Sequence, residues 1–116
     1  MSDPARPIEA YRSVVTWKTS YRRYWGEALR SSMLEALSRF CEGLGADPDQ
    51  IIDECLPPAG SGEGVLLRTK ARRKYIEVVD RFEERTERRT ANAVRSFLIH
   101  NGVAMSPGVL AAGRGG

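Results

Sequence analysis

RTKARRKYIEVVDRFEERTERRTANAVRSFLIHNG, residues 68–102, carries nearly all the apolar periodicity of the C-terminal half of this chain. Ala71, Tyr75, Val78, Val79 and Phe82 recur on one face at about 100° per residue. Lys70, Arg73, Lys74, Glu77, Arg81 and Glu84 fall on the other face, so a helix is expected from near Leu66 or Thr69 to about Arg85. Thr86 marks a turn. A second helix then runs from Arg88 or Arg89 to His100, with Ala91, Val94, Phe97 and Leu98 inward. Asn101-Gly102 ends it, in the left-handed conformation that those residues tolerate. Two amphipathic helices joined by a short turn predict an all-α fold.

Working outward, 116 residues make one domain by size, with a single modest core. With 41% hydrophobic and 28% charged residues, the composition excludes disorder over the bulk of the chain. No apolar run approaches the roughly 20 residues needed to span a bilayer, and MSDPARPIEAY has no apolar signal core. A soluble, cytoplasmic protein with no membrane partner is expected. Cys41 and Cys55 cannot build a disulfide framework and form no CxxC pair, so both read as buried structural thiols. His100 is the only histidine, and the three together cannot fill a four-ligand zinc site. No metal, cofactor or catalytic constellation is expected. His100, at a helix end, suits a cationic or capping role.

The net charge of +3 hides a strong division. Residues 1–40 hold seven basic and four acidic side chains, residues 41–67 none and six, and residues 68–95 ten and five. The chain therefore has an acidic middle and a basic third quarter, which favours an anionic partner such as nucleic acid.

The N-terminal MSDPARP reads as a frayed arm. Ile8 to about Trp17 fits a short helix, with Pro7 in its first turn. KTSYRRYWGE then interleaves Tyr21, Tyr24 and Trp25 with Lys18, Arg22 and Arg23. That pattern serves stacking on bases and contact with phosphates, and equally the anchoring of one helix to the others. Glu27 to Leu44 reads as one helix with the stripe Leu29, Met33, Leu34, Leu37, Phe40, Cys41 and Leu44. GLGAD supplies a glycine stop, and Asp47-Pro48 caps and opens a short helix with Ile51, Ile52 and Cys55 inward. PPAGSGEG is a loop. Its glycines lack the GK[ST] ending and the preceding strand of a phosphate-binding loop.

Several of these features fall into one order. MLEALSRFCEGLGADPDQIIDE resembles the first long helix and following short helix of the core-binding domain of tyrosine recombinases (phage integrases). Leu37 and Phe40 match the family's helix stripe, while Met33 stands where a tyrosine is usual. RRKYIEVVDRFEERTERRTANAVRSFLIHNGV looks like the remaining helices, closing on Ser96, Phe97, Leu98, Asn101, Gly102 and Val103. The resemblance covers about residues 27 to 103. It implies a compact SAM-like bundle of four to five helices that clamps one side of double-stranded DNA. It also implies a following catalytic domain that carries strand cleavage, and other recombinase protomers as partners. No tyrosine here, Tyr75 included, matches the nucleophile's motif, so as it stands the chain is not expected to be an enzyme. The expected organisation is an arm and first helical segment over 1–26, the helical core-binding domain over 27–103, and a linker or truncated end over 104–116.

On this reading Lys18, Arg22, Arg23, Lys70, Arg72, Arg73 and Lys74 contact phosphates. The row Arg88, Asn92, Arg95 and Ile99 points outward at steps of four, three and four. Arginine pairs twice with guanine and asparagine twice with adenine in the major groove, which makes Arg88, Asn92 and Arg95 the candidate base readers. The alternative is a helical protein-interaction or adaptor module, with Trp17, Tyr21, Tyr24 and Trp25 as an exposed anchor patch. A transcriptional regulator fits less well, because no tight helix-turn-helix spacing precedes the Arg88 helix.

Overall fold

The computed structural model describes residues 6–56 and 64–105, of which the side chains of 64–67 are left aside. Within them the chain is all-α. A 3-10 turn at Ile8–Ala10 leads into α1 (Arg12–Trp25), α2 (Ser31–Leu44), α3 (Pro48–Cys55), α4 (Gly64–Arg85) and α5 (Arg88–His100). Most of the PPAGSGEG loop, the first part of the expected arm and the tail beyond Met105 lie outside the described residues.

α5 is the central element. Its side chains Ala91, Ala93, Val94, Phe97 and Leu98 are buried, and α1, α2 and α4 all pack against it. The α4 stripe meets it through Ala71, Tyr75, Val79 and Phe82, joined by the expected turn at Thr86, whose hydroxyl donates to the Phe82 carbonyl at 2.6 Å. Phe40 of α2 stands edge-on to Phe82 of α4, with centroids 5.2 Å apart, a favoured aromatic geometry. The stripe read from sequence in α2 is confirmed at Leu34, Leu37, Phe40 and Cys41.

The first half differs from expectation in two places. α1 does not stop at Trp17 but runs on to Trp25, where Gly26 adopts φ 77° and donates its N–H to the Arg22 carbonyl at 2.8 Å. That left-handed glycine is a standard helix stop. Glu27–Arg30 is consequently non-helical, and α2 begins at Ser31 rather than Glu27. Leu29 still packs on the core, from the connection rather than from a helix.

α1 also belongs to the core rather than to an arm. Tyr11, Val14 and Trp17 are buried in the same cluster as the α2, α3, α4 and α5 stripes. Trp17 has 0% exposure, meets Phe97 edge-on at 5.6 Å and donates its indole N–H to Ser96 Oγ at 3.1 Å. At the other end of the domain, Met105 is buried along with Val103. The packed unit therefore includes α1 and reaches past residue 103 on the C-terminal side.

Polar contacts fix the helix ends. Asp47 and Gln50 form a reciprocal capping box, each bond 2.8 Å, with Pro48 in the first turn of α3. The Ser13 amide donates to Asp49 Oδ1 at 2.8 Å and ties α1 to α3. Burial acts to raise the Asp49 pKa, but hydrogen bonding from Ser13 and the nearby Arg12 guanidinium hold it below the usual value. Asn101 ends α5 by donating its amide to the carbonyls of Ser13 at 3.0 Å and Phe97 at 2.9 Å. It keeps a negative φ of −96°; Gly102 alone takes the positive φ, 93°.

Cys41 and Cys55 are free and buried, and burial pushes both thiols up to about 12. They are inert packing groups, as expected. Tyr75 is likewise committed to structure. Its hydroxyl donates to Glu54 Oε1 at 2.8 Å, and burial together with that carboxylate raises its pKa. Burial lowers the pKa of His100, so its end-of-helix role is that of a neutral ring, not of a cation. No helix among the described residues is long and apolar enough to cross a membrane.

Candidate nucleic-acid interface

Two basic regions lie at opposite ends of the α4–α5 hairpin. At about 1.5 Å per residue they are on the order of 20 Å apart along α4, roughly six steps of a duplex.

The first is the start of α4. Arg68, Lys70 and Arg73 are exposed. Lys74 is engaged with Glu54 Oε2 at 2.7 Å. Arg72 is half-buried, and its Nε is enclosed without a hydrogen-bond partner. Its side chain lines a cleft of about 280 Å³ with Cys55, Leu56, Arg68 and Gly102. Of the three α4 arginines and lysines read as a contiguous grip at 72–74, only Arg73 is both exposed and without an ion-pair partner among the described residues.

The second region is a groove of about 550 Å³ between the ends of three helices. Arg88, Arg89, Asn92 and Ala93 come from the start of α5, Arg30, Ser32 and Met33 from the start of α2, and Tyr21 from α1. Neither α2 nor α5 has a side-chain cap or an acidic residue in its first turn. Arginines at helix starts oppose the helix dipole, so the groove gathers positive charge from side chains and backbone alike. Arg30 and Arg89 have no ion-pair partner among the described residues, and Arg88, its side chain 83% exposed, has only Glu83 at 3.9 Å. Sequence reasoning passed over Arg30 and Arg89. The Arg88-Arg89 pair at a helix start was a visible signal, but the approach of Arg30 depends on how α2 meets α5.

The outward row on α5 is only partly outward. Arg88, Asn92 and Ile99 are exposed. Arg95 is not, its side chain being 12% exposed. Its guanidinium folds back onto α4, donating to Glu83 Oε1 at 2.6 Å and Asp80 Oδ1 at 2.9 Å. It also donates to Asn92 Oδ1 at 2.7 Å. Arg95 is thereby corrected from base reader to a clamp between α4 and α5, because reaching a base would break three charge-assisted or amide bonds. Asn92 changes too: its acceptor is occupied and only its N–H donors are offered. Adenine needs both a donor and an acceptor, so the available contact suits acceptor edges such as guanine O6 and N7.

Arg95→Ala is accordingly expected to cost about 1–2 kcal/mol, since two carboxylates lose their partner but Asp80 keeps much solvent. A fall in melting temperature of about 5–10 °C with unchanged preference among duplex sequences is the expected result. Altered preference with unaltered stability would return Arg95 to the readers.

On α1, Lys18 reaches Glu9 at 3.7 Å with both groups largely solvated. Arg22 and Arg23 are exposed, without ion-pair partners among the described residues. Among those residues no group of three or more His, Cys, Asp or Glu is placed to hold a metal ion. Comparison with protein families, with curated proteins and with solved structures finds no match to this chain.

Proposed function

We propose that this chain is a duplex-DNA-binding helical domain, of the kind that tyrosine recombinases place before their catalytic domain. Strand cleavage then belongs to another domain, and the chain's partners are double-stranded DNA, that catalytic domain and neighbouring protomers, in the cytoplasm. The observation that carries the proposal is the groove where Arg30, Arg88 and Arg89 converge from two helix starts beside Asn92. A single phosphate row fits such a groove: guanidiniums and free backbone amides face it, and no acidic residue stands in either first turn. Arg73 and its exposed neighbours at the far end of α4 suit a second contact farther along the duplex. Arg88 and Asn92 are the groups left to approach base edges.

The test is a titration with a duplex of about 20 base pairs at several salt concentrations. Three to five neutralised phosphates predict that log affinity falls with log salt at a slope of about −3 to −5. Absence of saturable binding at about 50 mM salt would sink the proposal. Asn92→Ala is expected to weaken binding to a preferred, guanine-bearing site by about fivefold while random duplex changes far less. Equal loss on both leaves Asn92 a surface residue.

A protein-interaction module is the second reading. Tyr24 and Trp25 favour it, being 74% and 60% exposed, but Trp17 does not, since it is fully buried.

A further inference from the structure

The end of α1 presents a group of aromatic rings that duplex binding does not use. α1 contains Arg12, Lys18, Arg22 and Arg23 and no acidic residue. Gly26 halts the helix directly after Trp25, so no further turn covers that ring. Tyr24 and Trp25 meet edge to face with centroids 5.0 Å apart, and Tyr21 lies 6.3 Å from Trp25. His100 closes the group from α5, 5.8 Å from Tyr21 and 6.1 Å from Tyr24. It is held in place by a 2.7 Å hydrogen bond between its Nδ1 and Ser20 Oγ. The rings are thus set in favoured mutual geometry, and the two largest of them are left open to solvent.

Two neighbours decide what the rings fit. Arg22 and Arg23 stand in the same last turn, and Tyr21 also lines the arginine groove. A ligand spanning both must carry negative charge at regular intervals and present a flat apolar face. Single-stranded nucleic acid has both, whereas paired bases hide their faces in the stack. We propose that Tyr24 and Trp25, steadied by Tyr21 and His100, form a stacking ledge for an unpaired nucleobase of a strand whose phosphates run toward the arginine groove. The ledge rests on the nucleic-acid reading of that groove.

The experiment compares an oligo-dT of about 12 nucleotides with an abasic strand of equal length, charge being the same and bases absent. Intact protein is expected to bind oligo-dT about tenfold more tightly than the abasic strand, with quenching of the solvent-exposed Trp25 fluorescence. Trp25→Ala abolishes that preference and leaves duplex affinity within about twofold. Trp25→Phe keeps part of it. Equal affinity for the two strands, with duplex binding intact, overturns the ledge and leaves the groove standing. Failure to bind any of the three overturns both. An acidic peptide that quenches Trp25 where oligo-dT does not makes the ledge a protein-docking surface instead.

Discussion

Trp17→Ala is expected to lower stability by about 4 kcal/mol, since replacing a buried tryptophan costs about 3–5 kcal/mol. The side chain has no exposure, and its loss opens a cavity against Phe97 that the surrounding helices cannot fill without shifting. The Ser96 hydroxyl also loses its indole donor. A domain of this size has on the order of 5–15 kcal/mol in all, so a fall in melting temperature of about 15 °C follows, read by far-ultraviolet circular dichroism. Trp17→Phe retains the edge-on contact and loses the hydrogen bond, and about 1–2 kcal/mol is the expected cost. A melting temperature within a few degrees of the parent for Trp17→Ala would mean that α1 is not docked. The groove, which takes Tyr21 from α1, and the aromatic ledge would then fall with it. The same measurement decides the domain boundary, because removal of residues 1–26 deletes the whole of α1.

The helices that could be read from sequence are those whose side chains repeat cleanly. In α4 and α5 the apolar residues fall at three- and four-residue spacings with charges between them, and the burial of Tyr75, Val79, Val94 and Phe97 follows directly. Asp47-Pro48 was legible because a cap and a helix-opening proline act locally. α1 was harder. Val14, Trp17 and Tyr21 make a valid inward stripe, but Tyr24 and Trp25 continue the aromatic pattern onto the solvent side. Apolar content alone therefore blurred where the inward face lay. Leu29 misled in the opposite way, since its four-residue spacing to Met33 imitates a helix that Gly26 has already ended.

At the candidate site the gap between sequence and structure is one of reach. Periodicity gives the direction in which Cβ leaves a helix; it does not say where a guanidinium finishes. Arg95 leaves α5 near the exposed row and ends on Asp80 and Glu83 of the preceding helix. Lys74 begins in a basic run and ends on Glu54 of α3. Arg30 did the reverse, since nothing in its surroundings in sequence marks it, and only the packing of α2 against α5 brings it to Arg88 and Arg89. Counting charges by segment therefore located a basic third of the chain but misjudged which members of it are available.

That difference makes the second large prediction a comparison of two triple substitutions. Arg30, Arg88 and Arg89 to alanine is expected to weaken duplex binding about a hundredfold and to flatten the salt slope by nearly three, at about 0.9 per lost phosphate contact. All three side chains are exposed, so the melting temperature stays within a few degrees and lost binding cannot be ascribed to unfolding. Changing Arg72, Arg73 and Lys74 together is expected to flatten the slope by only about one. In that set Arg72 is half-buried and Lys74 already faces a carboxylate at 2.7 Å, so Arg73 is the one cation fully free to release a counterion. An unchanged slope in the first variant removes the groove from the interface. A loss of three in the second would instead place the phosphate grip at the start of α4. In that case Lys74 must exchange Glu54 for phosphate when DNA arrives, and Glu54→Gln, which frees Lys74 in advance, would strengthen binding rather than leave it unchanged.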